Sequence, residues 1–307
     1  MAIFYILLLL GFLLILQLLF VKPYYRMVSG IRVNHRYEDK RVGRVRLLTQ
    51  NAFIRPGPIN HVHGDNKRVR FEAMLHLTHK YDVVCLQELW GYYKRKQFSK
   101  RFPFIVTSPA PRGKTDGGLV ILSRFPIVSF EFKPFLDTTF PDNMIHKGYL
   151  IAQIDTGSKK CLTVVNAHLQ ASYIKEFPKK QLTQLAVMYE SLTSAPNLVI
   201  CGDLNIDALV PEAYQNVFTA LHPLKDSVPQ LPTVTCVYDA VNKKELSTTV
   251  NMCLKCAMTY AKTSPKYIVE HQRLDHIWAS PHMHVSDCNI VNTVLSDHLG
   301  VEATLEL

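Results

Sequence analysis

The sequence predicts a mixed α/β or α+β domain preceded by a single transmembrane helix. Two observations support this prediction. Short apolar runs typical of buried strands alternate with amphipathic helical patterns through most of the 307 residues. Before them, Ala2 to Val21 form an almost unbroken apolar run. A helix of that length, at about 1.5 Å per residue, reaches roughly across the hydrocarbon core of a bilayer. We therefore expect a transmembrane anchor over residues 1–22.

A cleaved signal peptide is the alternative interpretation of this apolar run. Such a peptide has a basic stretch before a shorter apolar segment, and small residues at the cleavage site. Here no basic side chain precedes the run, and Lys22 and the bulky Pro23–Tyr25 stretch follow it. These features favour an anchor that stays attached.

The charge that follows the anchor indicates its orientation. Eight basic and two acidic side chains lie between Lys22 and Arg46, so this stretch carries a net +6 of the chain's formal +10. Basic residues beside a single span tend to stay on the cytoplasmic side. We therefore expect a single-pass membrane protein with a cytosolic body and a basic juxtamembrane linker over residues 23–43. The linker could also attract anionic lipids, or it could serve as a topology signal alone.

The body after the linker alternates between strand-like and helical patterns. The strand-like runs are Val45–Phe53, Val83–Leu89, Gly118–Ser123, Leu150–Ile154, Leu162–His168, Leu198–Asp203, Leu274–Ala279 and Val301–Leu305. Apolar residues recur at helical spacing in Phe71–Thr78, Leu182–Leu192 and Tyr214–Leu221. The polar stretch Pro229–Pro265 is irregular, which is typical of a long surface insertion.

The seven cysteines do not form an evident disulfide framework. Their odd number, and the position of several inside apolar runs, agree with a reducing cytosol. Cys253 and Cys256 form a C-x-x-C pair, with Cys236 and His271 nearby in sequence. A structural zinc site and an unbonded loop pair both remain open for this pair.

Polar side chains occur at or beside six of the apolar strands, mostly at their carboxyl ends. They are Asn51, Glu88, Asn166, His168, Asp203, Asn205, Asp275, Asp297 and His298. A buried polar group costs free energy unless it is paired, so these groups are most easily satisfied if they converge in one cleft. Such a cleft would hold carboxylates suited to Mg²⁺, histidines that titrate near neutral pH and neutral amide donors. Phosphoryl transfer needs these parts.

Six ordered motifs resemble the endonuclease/exonuclease/phosphatase superfamily. They are T-Q-N at Thr49–Asn51, L-Q-E at Leu86–Glu88, N-A-H-L at Asn166–Leu169, G-D-L-N at Gly202–Asn205, L-D-H-I at Leu274–Ile277 and S-D-H at Ser296–His298. Within that superfamily, further details are similar to the neutral sphingomyelinases. They are Asn51 followed by Arg55–Ile59, L-Q-E-L-W at Leu86–Trp90, D-G-G-L at Asp116–Leu119, S-R-F-P-I at Ser123–Ile127, K-G-Y-L at Lys147–Leu150 and A-H-L-Q-A at Ala167–Ala171.

The resemblance implies a catalytic domain over residues 44–307. Its expected architecture is a four-layer sandwich of two packed mixed β-sheets flanked by helices. The implied activity is Mg²⁺-dependent hydrolysis of a membrane phospholipid, sphingomyelin, to ceramide and phosphocholine.

The resemblance also implies a role for each site residue. Glu88 corresponds to the principal metal ligand, with Asn51 close to the metal or phosphate and Asp297 beside the metal. His298 corresponds to the general base, and Asp275 holds it.

The remaining site residues are expected to act on the substrate. Asp203 and Asn205 correspond to residues that orient water and phosphate. His168 corresponds to the residue that stabilises the transition state or assists the leaving group. Asn166 and Lys147 are expected to bind substrate, although a solvated hairpin position is the alternative for Lys147.

Three other functions use the same residues differently. A nuclease would favour basic charge around the cleft, but only +4 of the net charge lies outside the juxtamembrane stretch, which disfavours nucleic acid as a partner. An inositol-phosphate phosphatase would want basic residues near the metal. A catalytically inactive membrane scaffold would not need the intact motif set. The sequence shows no obvious exposed aromatic hairpin for membrane insertion.

Overall fold

The computed structural model describes residues 43–55, 67–111, 114–159, 161–171, 178–195, 197–239, 244–247, 267–293 and 295–307. The predicted anchor, nearly all of the juxtamembrane linker, and the Cys253 and Cys256 pair lie outside these ranges. Within them, no helix has the length and apolar character needed to cross a bilayer.

Strands dominate the described part of the body, and four α-helices lie between them there. The strands are β1 (Arg44–Ile54), β2 (Val83–Leu89), β3 (Phe104–Thr107), β4 (Thr115–Asp116), β5 (Val120–Ser123), β6 (Ile127–Pro134), β7 (Ile145–His146), β8 (Gly148–Ile154), β9 (Leu162–His168), β10 (Leu198–Asp203), β11 (Lys225–Asp226), β12 (Val234–Asp239), β13 (Lys244–Ser247), β14 (Tyr267–Gln272), β15 (Asp275–Ala279), β16 (His284–Val291) and β17 (Gly300–Glu306). The α-helices are α1 (Lys67–Leu77), α2 (Tyr92–Gln97), α3 (Pro178–Glu190) and α4 (Pro211–Leu221). Short 3₁₀ helices cover Thr78–Lys80, Phe98–Lys100 and Asp142–Met144.

Two six-stranded sheets form the centre of the molecule. The first has the strand order β16-β17-β1-β2-β5-β3, and the second has the order β11-β15-β10-β9-β8-β6. Each sheet contains one parallel pair, β1 with β2 and β9 with β10, among antiparallel neighbours. The predicted α/β class with two mixed sheets is therefore confirmed.

The two sheets pack face to face, and helices cover their outer faces. Val45 and Leu47 of β1 lie in the same buried cluster as Val164 of β9 and Val199 of β10. A second cluster joins the other face of the first sheet to Phe71 and Met74 of α1, and a third joins the second sheet to α3 and α4. These layers explain why the strand sequences are continuously apolar, since residues on both faces of each central strand are buried.

The strand-like and helical patterns identify eight of the described strands and three of the described α-helices, but they miss others, such as β6, β16 and α2. The stretch Pro229–Pro265, expected to be an irregular insertion, contributes two strands within its described part. In a third, three-stranded sheet, β12 pairs with β13 on one side and with β14 on the other. The β-branched and aromatic residues of Val234–Asp239 are the signal for strand structure that the polar surroundings obscured.

Candidate active site

The topology brings the polar strand ends together. In the first sheet, Asn51 of β1 pairs in parallel register with Gln87, next to Glu88. In the second sheet, Asp203 pairs with His168 on one side and with Asp275 on the other. His168 and Asp203 lie at the ends of the parallel strands β9 and β10, and Asp275 begins the antiparallel strand β15 beside Asp203. All three therefore lie at the same edge of the second sheet.

Asp203 lies close to three other site residues, Asn51, His168 and His298. One of its oxygens, Oδ2, accepts a hydrogen bond from Asn51 Nδ2 at 3.0 Å and lies 3.6 Å from His168 Nε2 and 3.7 Å from His298 Nε2. Its other oxygen accepts a hydrogen bond from the Asn205 backbone N–H at 3.0 Å. Burial raises the pKa of Asp203 to about 6, even though the nearby His298 lowers it.

His298 is oriented by a buried carboxylate. Its Nδ1 lies 2.8 Å from Asp275 Oδ2, and Asp275 has no solvent exposure. A hydrogen donated from Nδ1 leaves Nε2 facing Asp203. Burial lowers the pKa of His298, but the carboxylates of Asp275, Asp203 and Asp297 outweigh this and raise it well above its ordinary value.

His168 lies on the other side of Asp203 and is paired with a buried lysine. Lys147 is 2% exposed, and its ammonium group donates to the Leu169 carbonyl at 2.7 Å and lies 2.8 Å from Asp142 Oδ2. It also reaches His168 Nε2 at 3.2 Å. Burial and the charge of Lys147 hold the pKa of His168 well below its usual range. Lys147 is therefore not the solvated hairpin lysine considered as an alternative, because its charge is fully enclosed.

Glu88 stands at the end of β2 with a left-handed backbone, at φ of 50°. Its Oε1 accepts a hydrogen bond from Asn51 Nδ2 at 3.2 Å, and its Oε2 lies 3.9 Å from Arg55 Nε. Burial raises the pKa of Glu88, and the negative charge of Asp297 raises it further. Two carboxylates that repel each other at one end of the cleft are an environment that a cation would stabilise.

The oxygen donors at the end of the cleft that holds Glu88 and Asp297 fit Mg²⁺. Among the described residues, no group of three or more His, Cys, Asp or Glu side chains is arranged to hold a metal ion. Mg²⁺ does not require such a group, because it is usually bound by one or two carboxylates, several waters and substrate phosphate. Glu88 and Asp297 supply carboxylate oxygens of that kind. Asn51 turns its NH₂ group toward Glu88 and Asp203, while its carbonyl oxygen accepts from the Phe53 N–H at 3.0 Å.

Asn166 occupies a different position from the other site residues. It is fully buried, and its NH₂ group donates to the carbonyls of Leu86 and Val120 at 2.9 and 3.0 Å. Its carbonyl oxygen accepts from Gln87 Nε2 at 2.7 Å. These bonds join the two sheets beneath the cleft, and the expected contact of Asn166 with substrate stays a prediction.

Asn205 remains at the cleft with its side chain tied to a neighbouring strand end. Its backbone is left-handed, at φ of 51°, and its Nδ2 donates to the Leu169 carbonyl at 3.1 Å. The Leu169 carbonyl therefore accepts hydrogen bonds from both Asn205 and Lys147. These two bonds hold the end of β9 next to both residues.

One supporting network had no role assigned from the sequence. Buried Arg95 pairs with Asp116 at 2.7 Å and donates to the Leu89 carbonyl, while the Gly118 N–H donates to Asp116 at 2.7 Å. These bonds fix the backbone that follows Glu88. The D-G-G-L motif marked Asp116, but Arg95 lies in a basic run that predicts an exposed helix.

The fold and the site together define a class of phosphoester-cleaving proteins. The profile of the Endonuclease/Exonuclease/phosphatase family matches residues 59–298, and the chain belongs to this family.

Two curated relatives carry sphingomyelinase names. A sphingomyelinase of Dictyostelium discoideum is 32% identical over 113 residues, which are 31% of this chain and 25% of that protein. A Caenorhabditis elegans protein, named as a proposed neutral sphingomyelinase, is 27% identical over 186 residues, which are 53% of this chain and 41% of that protein. The chain thus spans less than half of the length of either relative.

Solved structures share the fold at low sequence identity. Sphingomyelinase C of Streptomyces griseocarneus superposes with a TM-score of 0.63 at 17% identity, over 86% of this chain and 99% of that one. A Staphylococcus aureus beta toxin mutant with bound magnesium ions gives 0.63 at 16% identity, over 84% and 98%. Danio rerio TDP2 in complex with a single-stranded DNA product gives 0.58 at 18% identity, over 87% and 100%. The fold is thus shared by proteins with different substrates.

Proposed function

We propose that this protein is a membrane-anchored, Mg²⁺-dependent phosphodiesterase that hydrolyses the head-group phosphodiester of a phospholipid. Sphingomyelin is the phospholipid that we propose as its substrate. The observation that carries the proposal is the buried His298–Asp275 pair facing Asp203, His168 and Asn51 at the junction of the two sheets. Hydrolysis of a phosphodiester needs a base for water, a donor for the leaving oxygen and charge stabilisation at the phosphate.

His298 is placed to accept a proton from water. Asp275 holds the hydrogen on Nδ1, so the imidazole presents Nε2 toward the cleft. The raised pKa of His298 makes Nε2 a strong proton acceptor once it has released its own proton. When Nε2 takes the proton, the buried carboxylate stabilises the imidazolium. Asp203 lies 3.7 Å from Nε2, where it can hold water in line with the imidazole.

His168 and Lys147 form the second polar group of the cleft. Lys147 donates toward His168 Nε2, which leaves the other ring nitrogen, Nδ1, to carry the hydrogen. That Nδ1 is buried and has no hydrogen-bond partner among the described residues. The positive charge of Lys147, which lies between Asp142 and His168, favours a negatively charged phosphate here.

Glu88, with Asp297 beside it, would hold the Mg²⁺ ion. When bound, the ion supplies positive charge that offsets the negative charge developing on the phosphate. The magnesium ions of the beta toxin neighbour support the choice of metal.

Three considerations support a phosphocholine lipid as substrate. The two curated relatives carry sphingomyelinase names. The N-terminal apolar run would keep the domain at a membrane, where such lipids reside. The small net charge outside the juxtamembrane stretch disfavours a polyanionic nucleic acid.

A substrate panel tests this proposal. The full chain, purified in detergent, is assayed with sphingomyelin, lysophosphatidylcholine, an inositol phosphate and single-stranded DNA, each with Mg²⁺ and with excess chelator. We expect phosphocholine release from sphingomyelin that stops in chelator. Cleavage of DNA or of the inositol phosphate without phosphocholine release would contradict the proposal, as would unchanged turnover in chelator.

A further inference from the structure

Three large apolar side chains are exposed on one segment beside the candidate site. This segment, residues 135–144, connects β6 to β7, and its exposed side chains are Leu136 at 95%, Phe140 at 75% and Met144 at 61% of their full accessibility. Single exposed apolar residues are ordinary on protein surfaces. Three on one short connection form a patch of the kind that marks a contact with a partner or a membrane.

Hydrogen bonds hold the backbone of the 135–144 segment in place. The Thr139 N–H donates to Gln170 Oε1 at 2.9 Å, and Gln184 Nε2 donates to the Asp137 carbonyl at 2.7 Å. Asp142 accepts from the Ala171 N–H at 2.7 Å. The apolar side chains of Leu136, Phe140 and Met144 therefore project from an anchored frame, and each is more than half exposed.

The same segment borders the cleft. Asp142, inside the segment, lies 2.8 Å from Lys147, and Lys147 in turn contacts His168. The Phe135 N–H also donates to the Lys147 carbonyl at 2.9 Å. The segment that carries the patch is thus joined to Lys147, beside the candidate site, by two direct contacts.

An exposed cation flanks the patch. Lys114 precedes Thr115 of β4, which pairs with Ile145 of β7, the residue after Met144. Apolar side chains beside a lysine suit a bilayer surface, where the side chains reach the acyl boundary and the ammonium group stays near lipid phosphates. A protein partner would bury the patch equally well, but it would also cover the entrance that a lipid substrate needs.

We propose that the 135–144 segment docks on the bilayer surface, with Leu136, Phe140 and Met144 entering the boundary between head groups and acyl chains. This proposal rests on the proposed lipid phosphodiesterase function. Docking by this segment would place the cleft over the leaflet that holds the substrate, so that a head group could enter without the lipid leaving the membrane.

A tryptophan reporter tests the docking without using activity. Trp90 and Trp278 are both buried, so a Phe140→Trp variant adds the exposed indole. The full-chain variant is reconstituted in vesicles of sphingomyelin and phosphatidylcholine with brominated acyl chains. We expect strong quenching of the added fluorescence, and much less in a Val128→Trp control on β6. Equal quenching in the two variants, or none at position 140, would overturn the proposal.

An activity ratio tests the consequence of docking. The triple variant L136S/F140S/M144S is compared with V69S/V128S/L231S, which removes exposed apolar side chains elsewhere. We expect the ratio of turnover on sphingomyelin vesicles to turnover on a water-soluble phosphocholine ester to fall about tenfold or more in the first variant only, because serine removes the apolar surface that would be buried at the bilayer.

The two measurements separate the two proposals. An equal ratio in both triple variants would overturn the docking role of the segment. Failure of the wild-type chain to cleave either substrate would instead sink the proposed catalytic function, while the fluorescence measurement would still decide the docking.

Discussion

His298 is the residue whose removal tests the chemistry most directly. General-base catalysis contributes typically about 10²–10⁴-fold, so His298→Ala should lose roughly that factor in kcat. Asp275→Asn should lose less, because the imidazole stays while its tautomer and orientation are no longer fixed. Single-turnover rates on a phosphocholine lipid measure both. Near-normal turnover in His298→Ala would remove it from the mechanism.

Glu88 is the corresponding test of the metal site. Glu88→Gln preserves the size of the side chain but removes its charge, so we expect activity to fall by orders of magnitude and the Mg²⁺ concentration needed for half-maximal rate to rise. Glu131→Gln, on the exposed part of β6, is the control. A wild-type Mg²⁺ response in Glu88→Gln would exclude Glu88 as a ligand.

His276 allows a prediction of stability against pH. Burial, followed by the charge of Arg273, lowers its pKa to about 4, whereas an unfolded histidine titrates near 6.5. Protonation therefore favours the unfolded chain. The stabilisation is complete above about pH 6.5 and is lost as pH falls toward 4, with about 2 kcal/mol lost by pH 5.

The matched variant isolates this histidine from other titrating groups. His276 Nε2 lies 3.1 Å from the Ile206 carbonyl and Nδ1 accepts from Trp278, and glutamine offers a donor and an acceptor without a charge. Denaturant unfolding at pH 7 and pH 5 should show a smaller loss of stability in His276→Gln than in the wild type. Equal losses would contradict the assignment.

At the scale of elements, the end of β2 depends on a glycine. Gly118 has a φ of 70°, and a Cβ there would come within 2.9 Å of the Trp90 ring and 3.1 Å of the Glu88 Cα. Gly118→Ala should therefore cost at least about 1 kcal/mol of unfolding free energy and weaken Mg²⁺ binding by displacing Glu88. Gly43→Ala, which meets nothing within 4 Å, is the control. Denaturant unfolding of both variants decides the point.

The buried pair of Arg95 and Asp116 supports the same strand end. Removing one partner leaves an uncompensated buried charge, so Arg95→Met should destabilise the fold by about 3–5 kcal/mol. The exposed pair of Arg44 and Glu306, with an N–O distance of 3.0 Å, provides the comparison, because Arg44→Met should cost no more than about 1 kcal/mol. Similar unfolding midpoints for the two variants would refute the supporting role of Arg95.

The sequence predicts the central strands better than the side-chain contacts between elements. Continuous apolar runs locate β2, β9 and β10, because burial on both faces leaves little choice of residue. Polar groups at their ends predict a single cleft, because parallel strands end at one edge. The burial of Lys147 and the pairing of Arg95 with Asp116 could not be predicted, because each depends on contacts between residues distant in sequence.

The exposure of the apolar side chains on the 135–144 segment could not be predicted from the sequence either. Leu136, Phe140 and Met144 lie among polar and turn-forming residues without periodicity, so no hydrophobic face is apparent. No aromatic insertion element is apparent in the sequence, but the structure exposes Phe140 on a segment that contacts the site residue Lys147. The structure is needed to show that hydrogen bonds hold the backbone of this segment while the three side chains stay exposed.

At the scale of the whole molecule, the arrangement of charge relative to the apolar run determines which compartment the catalytic domain would occupy. Between Lys22 and Arg46 the chain carries net +6, whereas the apolar run itself carries no charged side chain. Cytoplasmic retention of basic flanks therefore predicts a cytosolic body. Protease added to intact cells should leave residues 44–307 undigested, whereas protease added after selective permeabilisation should degrade them. A lumenal control protein, intact in both conditions, shows that only the plasma membrane was opened. Digestion of the body in intact cells would reverse the orientation, and recovery of a shortened chain from the medium would establish the cleaved signal peptide instead.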